Sequence, residues 1–112
     1  MKVFPPQESR AAHPLHIDTE NGEITIGFDF YHAHWEWPSS DDHRNPVRYL
    51  SDLLDEKIVV ASFWRGDEWK GSTMVDAGVT DIPAVSAAAE LLRLRSWRGT
   101  FSSDLALSGA AA

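Results

Sequence analysis

The chain is organised around residues 27–37, which read Gly27-Phe28-Asp29-Phe30-Tyr31-His32-Ala33-His34-Trp35-Glu36-Trp37. This stretch combines five aromatic rings with two histidines and two carboxylates. Before it, residues 15–19 alternate apolar and polar side chains, and Asn21-Gly22 is the dipeptide most typical of a two-residue hairpin turn. Residues 23–31 alternate again. The sequence therefore predicts a β-hairpin whose second strand continues into the aromatic stretch.

The side-chain period of a strand is two, and it decides which of these residues share a face. In an unbroken strand, His32, His34 and Glu36 follow Phe30 on one face. Trp35 then lies on the opposite face. We expect the strand to end at Trp37, because the next residue is a proline, which has no N–H for the ladder.

One helix and two further strands come next, in the middle of the chain. Asn45-Pro46 has the composition of an N-cap followed by proline in the first turn, and apolar residues then recur at helical spacing to about residue 57. Residues 58–64 are apolar on both faces, which is typical of a central strand. A tight turn at 65–68 leads to a returning strand at 69–75, where Gly71 indicates a β-bulge.

The last third of the chain is less clearly patterned. Residues 84–92 are rich in alanine and fit a short helix, whereas the alternation from residue 92 onward favours a strand. Together these elements predict an α+β domain, with one antiparallel sheet of about five strands and one main helix on a face of it. We expect residues 15–107 to form this single domain, after a loose N-terminal arm at 1–14 and before a frayed tail at 108–112.

Composition restricts the class of protein. A chain of 112 residues that is 43% hydrophobic fits one domain with one core, and the absence of cysteine excludes disulfides and thiolate metal sites. Apolar runs are too short to span a bilayer, and the N-terminus lacks the apolar region of a signal peptide, so we expect a cytoplasmic protein. The net charge of −7 argues against nucleic acid as ligand. It permits a basic protein partner, or serves only solubility.

His32-X-His34-X-Glu36 is the pattern with the sharpest chemical meaning. Side chains two positions apart on a strand project to the same side at a spacing of about 6–7 Å. Two imidazoles and a carboxylate suit zinc or ferrous iron. The alternative is structural, with both histidines at the wet end of a strand and hydrogen-bonded to loop backbone.

Aromatic and acidic residues also lie together after this pattern. Trp35 and Trp37 flank Glu36, and Asp41-Asp42 occurs in the next loop. Such a surface suits a cationic protein, because tryptophan dominates binding hot spots, although both rings also fit a core. Asp67-Glu68, in the 65–68 turn, is a second acidic pair, and a solvated turn explains it equally well.

Three runs together carry a family resemblance. Residues 23–37 (EITIGFDFYHAHWEW), 57–72 (KIVVASFWRGDEWKGS) and 95–100 (RSWRGT) resemble immunity proteins of bacterial polymorphic toxin systems, of the contact-dependent, Rhs and type VI kinds. The resemblance implies a cytoplasmic, non-enzymatic inhibitor without a cofactor. Such a protein binds its toxin domain tightly and covers the active site or a neighbouring surface. Many such toxins are nucleases or deaminases with basic substrate grooves.

The sequence thus leads to two main hypotheses, beside a third in which the protein is a ligand-binding module whose aromatic pocket is lined by Phe28, Phe30 and Trp64. In the first, the protein is an immunity protein for a cationic toxin domain, and it has no catalytic residues and binds neither nucleic acid nor membrane. Its predicted partner contacts are Trp35, Glu36, Trp37, Asp41 and Asp42, with Asp67 and Glu68 as further contacts. In the second, it is a small metal-dependent enzyme that uses His32, His34 and Glu36.

Overall fold

The computed structural model describes residues 1–36, 45–79, 82 and 88–107. In chain order the strands and the helix are β1 (Lys2–Val3), β2 (Leu15–Glu20), β3 (Glu23–Phe28), β4 (Tyr31–Glu36), α1 (Pro46–Leu54), β5 (Ile58–Arg65), β6 (Glu68–Asp76), β7 (Leu91–Arg95) and β8 (Ser103–Ala106). The predicted α+β class, with antiparallel strands and one α-helix in the described ranges, is confirmed. No helix among these residues is long and apolar enough to cross a membrane.

The strands form two sheets, and the prediction of one sheet of about five strands is wrong. The first sheet has the order β1-β2-β3-β4, and the second has the order β6-β5-β7-β8. Two of the extra strands, β1 and β8, are short and carry little sequence signal. The third arises because a turn divides the aromatic stretch into β3 and β4.

That turn consists of Asp29 and Phe30. Asp29 adopts the left-handed backbone conformation (φ 54°), and its carboxylate accepts a hydrogen bond of 2.7 Å from the Ala12 N–H. The chain therefore reverses after Phe28 and pairs Phe28 with Tyr31. Burial raises the pKa of the Asp29 carboxyl, although the Ala12 hydrogen bond and the Arg95 charge oppose this effect.

Several local predictions are confirmed. Asn21 and Gly22 both have positive φ (52° and 76°), as a type I′ hairpin turn requires. The Asn45 side chain caps α1 by accepting a 2.8 Å hydrogen bond from the Arg48 N–H. Strand β5 is paired on both sides, and its register with β6 shifts beside Gly71, which is the predicted bulge.

Each face of the second sheet has its own apolar core. The face toward the first sheet places Val60 against Leu15, Ile26, Phe28 and Leu53, so that α1 and both sheets share this core. The opposite face buries another cluster, which consists of Val59, Ala61, Phe63, Ala89, Leu92 and Leu94. Leu92 lies in β7, whereas residues 84–87 of the predicted short helix are outside the described ranges.

Aromatic rings close one end of the space between the sheets. Phe30, from the turn, packs edge-on against Trp64 at 4.9 Å between ring centroids and stacks on Trp69 at 6.4 Å. The Arg93 guanidinium lies 4.6 Å from the Trp64 ring centroid. This end of the molecule is held by ring contacts and by a cation–π interaction.

The N-terminal segment, predicted to be a loose arm, is tied to the domain by hydrogen bonds. It contains β1 and a single 3-10 turn at Gln7–Ser9. The buried Ser9 hydroxyl donates to the Ser96 carbonyl at 2.6 Å, and the Ser102 hydroxyl donates to the Ser9 carbonyl at 2.8 Å. These bonds join the start of the chain to the connection between β7 and β8. The predicted frayed tail, 108–112, lies outside the described residues.

Glu56 links that same connection to the end of α1. Its side chain is 3% exposed, and its carboxylate accepts hydrogen bonds from the Arg98 and Thr100 N–H groups and from the Thr100 hydroxyl. The Arg98 guanidinium donates at 3.1 Å. Burial alone would raise the pKa of Glu56, but hydrogen bonds from Ser96, Thr100 and Arg98 outweigh it and lower the pKa to about 2.

Replacing Glu56 with glutamine tests this link. Glutamine keeps the shape of the side chain and loses the charge, so we expect a loss of unfolding free energy on the order of 3 kcal/mol at pH 7. The folded-state pKa of about 2 lies below the ordinary value of 4.5, so the unfolded chain binds more protons between these values. The contribution of the Glu56 charge to the unfolding free energy is therefore present above pH 4.5, and it disappears as the pH falls toward 2.

Urea denaturation of both proteins between pH 7 and pH 2 measures this effect. The stability difference between wild type and Glu56→Gln should be largest at pH 7 and should shrink at acidic pH. Glu90→Gln, which alters an exposed ion pair with Arg65, is the matched control and should change stability by less than about 1 kcal/mol. A difference that stays constant with pH would contradict the assigned role of the Glu56 charge.

Candidate protein-binding surface

The turn at Asp29 and Phe30 reverses the predicted faces of the next strand. Tyr31, Ala33 and Trp35 pair with residues of β3 on the core side, where Trp35 lies directly opposite Ile24. His32, His34 and Glu36 are instead exposed on the outer face of the first sheet. The prediction that they share a face with the apolar residues of β3 is wrong, because a two-residue turn shifts the side-chain alternation between the strands.

Three glutamates face one another across this outer surface. Glu20 of β2 is the register partner of Glu23 in β3, and Glu23 is the register partner of Glu36 in β4. All three side chains are exposed. We call Glu20, Glu23 and Glu36 the glutamate row. Like charges in directly opposed positions destabilise a sheet, so the isolated domain carries a local electrostatic cost here.

The next two rows contain histidines. Asp18, Thr25 and His34 form one row, and His16, Gly27 and His32 form the other. The His16 ring lies directly over Gly27, where any Cβ would overlap it. Together with the glutamate row and Lys2, which is opposite His16, these residues form what we call the acidic face. It has four carboxylates and a single lysine.

Polar contacts on the acidic face connect histidines with oxygen atoms. The His34 Nδ1 atom lies 2.7 Å from a Glu23 carboxylate oxygen and 2.8 Å from the Thr25 hydroxyl. The rings of His32 and His34 meet edge-on at 4.9 Å between centroids. His34 thus contacts Glu23, while Glu20 and Glu36 are exposed at the two ends of the row.

This geometry bears on the predicted metal ligands. His32, His34 and Glu36 do lie on one face of one strand, as the pattern predicts. Within the described ranges, however, no three His, Asp or Glu side chains are arranged to hold a metal ion. His34 is engaged by Glu23 and Thr25 in place of Glu36. The polar contacts that His34 makes are therefore with its neighbours on β3.

A groove runs beside the acidic face, where β4 of the first sheet approaches β6 of the second and α1 closes one side. Its volume is about 520 Å³. Three aromatic residues line it, Tyr31, Trp35 and Tyr49, together with Asp52 and Asp76. The remaining lining residues are Ala33, His34, Arg48, Ile58, Met74 and Val75. We call this the β4–α1 groove.

Trp35 belongs to the wall of this groove. Its ring packs against Tyr49 with 5.0 Å between centroids, so it also supports the core shared by the sheets and α1. Trp35 therefore packs against the core and also lines a surface groove. The predicted contacts Trp37, Asp41 and Asp42 lie outside the described residues.

Asp67 and Glu68 lie far from this surface. They come after β5, at the end of the molecule where Phe30 packs on Trp69. Trp35 lines the groove with Ile58 and Asp76, which are at the other ends of β5 and β6. The Glu68 carboxylate bonds Lys70 at 2.6 Å. The structure thus does not bring the pair together with Trp35 and Glu36.

Sequence reasoning missed several members of the surface. Asp18, Glu20 and Glu23 flank the predicted hairpin turn, and their alternation with apolar residues could have assigned them to its outer face. Asp52 and Asp76 come from distant elements, so no local pattern reveals that they share a groove.

Comparisons with known proteins add no family assignment. No protein-family model, curated protein or solved structure gives a significant match to the chain. The function of this chain is therefore inferred from the geometry and charge of the described residues, together with the resemblance carried by the three sequence runs.

Removing one charge from the glutamate row should stabilise the isolated protein. Glu36→Gln relieves the repulsion from Glu23, so we expect a gain of about 0.5 kcal/mol in unfolding free energy at low salt. The gain should shrink in about 0.5 M NaCl because salt screens exposed charges. Denaturant titration at both salt concentrations measures it.

Glu68→Gln is the matched control for this measurement. It removes an exposed glutamate that has an attractive partner, Lys70, so it should leave stability unchanged or slightly reduced. A loss of stability in Glu36→Gln at low salt would show that the row is not repulsive.

Proposed function

We propose that this protein is an immunity protein that binds and neutralises a cationic toxin domain, such as a nuclease or deaminase, in the bacterial cytoplasm. The observation that carries the proposal is the glutamate row on the exposed outer face of the first sheet. Binding would cover the toxin active site or an adjacent surface. No catalytic step by this chain is part of the proposal.

The cost of the glutamate row supports this function. Residues that conflict locally with stability are expected where a surface serves binding. Three opposed glutamates repel one another in the free protein, and a cationic partner would turn this repulsion into attraction. The same carboxylates would therefore weaken the free fold and strengthen the complex.

The character of the proposed partner gives a second argument. An enzyme that acts on nucleic acid has a basic substrate groove, because phosphate binding needs lysine and arginine. An acidic sheet face can occupy such a groove, and its charge speeds the encounter between the two proteins. The family resemblance, which covers the segments that form β3, β4, β5 and the β7–β8 connection, leads to the same class of partner.

Affinity capture from the native bacterium tests the proposal. The protein serves as bait at low and moderate salt, and we expect recovery of one toxin C-terminal domain in an equimolar complex. The triple variant Glu20→Gln, Glu23→Gln and Glu36→Gln should associate with that domain about tenfold more slowly at low salt, because rim charges act mainly on the association rate.

The double variant Asp67→Asn, Glu68→Gln is the matched control, since it removes acidic charge at the opposite end of the molecule. It should associate with the toxin domain nearly as fast as the wild type. Failure of the wild type to capture any toxin domain would contradict the proposed function. Equal rates for the triple variant and the wild type would contradict the assignment of the surface.

A further inference from the structure

We propose that the β4–α1 groove is a binding site for the guanidinium group of an arginine side chain, presented by the protein partner. This inference rests on the proposed function and gives the partner a specific chemical feature. The ligand is a planar cation on an alkyl stem, and the groove offers it aromatic rings, carboxylates and one buried hydroxyl.

The carboxylates supply the charge that such a ligand needs. Asp52, on α1, and Asp76, at the end of β6, both line the groove. Arg48 is the one lysine or arginine among its lining residues, so carboxylates outnumber fixed cations two to one. Two carboxylates from separate elements can each accept hydrogen bonds from the five-donor guanidinium group.

The aromatic residues supply the second element of recognition. Tyr31, Trp35 and Tyr49 come from β4 and α1 and together form an aromatic wall, in which Trp35 and Tyr49 pack edge-on against each other. A guanidinium group stacks on aromatic faces and is weakly hydrated, which distinguishes it from the ammonium group of lysine. The wall therefore favours arginine over lysine.

One residue of the wall, Tyr49, also carries a buried hydroxyl group. The Tyr49 hydroxyl oxygen is buried, and it has no hydrogen-bond partner among the described residues. A buried polar atom without a partner costs stability, and most such atoms are paired in native proteins. An arginine N–H donated to this oxygen would provide the missing hydrogen bond.

The groove lies next to the acidic face, which is the proposed contact surface for the partner. His34 lines the groove and also contacts Glu23 of the glutamate row, so the two features meet along β4. A cationic protein that lies over the acidic face can therefore extend one arginine across the edge of β4 into the groove.

Titration of the ¹⁵N-labelled full chain with N-acetyl-arginine methylamide tests the site. We expect saturable NMR shifts of the Trp35 indole N–H and of the amides of residues 49, 52 and 76, with a Kd on the order of millimolar for so small a probe. The citrulline analogue has nearly the same shape without the charge, and it should give no saturable shift. The lysine analogue should bind more weakly.

Variants show which side chains of the groove contribute to binding of the arginine probe. Asp52→Asn with Asp76→Asn should abolish the shifts, and Tyr49→Phe should weaken binding about fivefold, the value of one hydrogen bond. Asp67→Asn, at the other end of the molecule, is the control and should bind like the wild type. Equal shifts with the citrulline analogue, or shifts on the acidic face alone, would overturn the proposal.

The failure of this inference can be told apart from failure of the proposed function. If the toxin domain binds Asp52→Asn, Asp76→Asn as tightly as the wild type, while the glutamate-row variant binds more slowly, the groove assignment is wrong and the immunity function stands. If no toxin domain is captured at all but the arginine probe binds, the groove is a site for a different ligand.

Discussion

The buried carboxylate of Glu56 is the interaction on which the connections of this fold depend. It accepts hydrogen bonds from the Arg98 and Thr100 N–H groups near the end of α1. These bonds fix the conformation of the connection between β7 and β8. That connection in turn holds Ser9 through hydrogen bonds with Ser96 and Ser102. A single charge thereby positions three segments that are distant in sequence. Without it, donors in the β7–β8 connection would be left without their acceptor, at a cost larger than the value of any one hydrogen bond.

Local signals are sufficient for a large part of the fold. The Asn21-Gly22 turn, the Asn45 cap and the central strand β5 each arise from a few adjacent residues whose conformational preferences agree with the tertiary structure. The Asp29-Phe30 turn cannot be read in this way. It contains neither glycine nor asparagine, and aromatic residues of strand type surround it. Its stability comes from the Ala12 N–H, a partner far away in the chain, so the sequence favours one long strand where the structure has two.

Because the sequence does not reveal the Asp29-Phe30 turn, only part of the acidic face and of the β4–α1 groove could be predicted. The sequence predicts Glu36 as a contact residue, and Glu36 is exposed. The positions of its neighbours Glu20 and Glu23 depend on the registers of two strand pairs. Trp35 fits either core or interface by its sequence, and it lies where the core meets the β4–α1 groove. The groove cannot be predicted, because β4, α1 and β6 form it only after both sheets are packed together. Sites that depend on strand register and on the packing of distant elements cannot be recognised from any single stretch of sequence.

Strand β4 separates two kinds of evolutionary freedom. Tyr31, Ala33 and Trp35 face the core side, so they are constrained by packing, whereas His32, His34 and Glu36 face solvent. Substitutions at every second position can therefore change the charge and shape shown to a partner without disturbing the interior. Under the proposed function, a protein that must match a changing toxin would benefit from such a separation. One short strand lets recognition diverge while the scaffold is inherited intact.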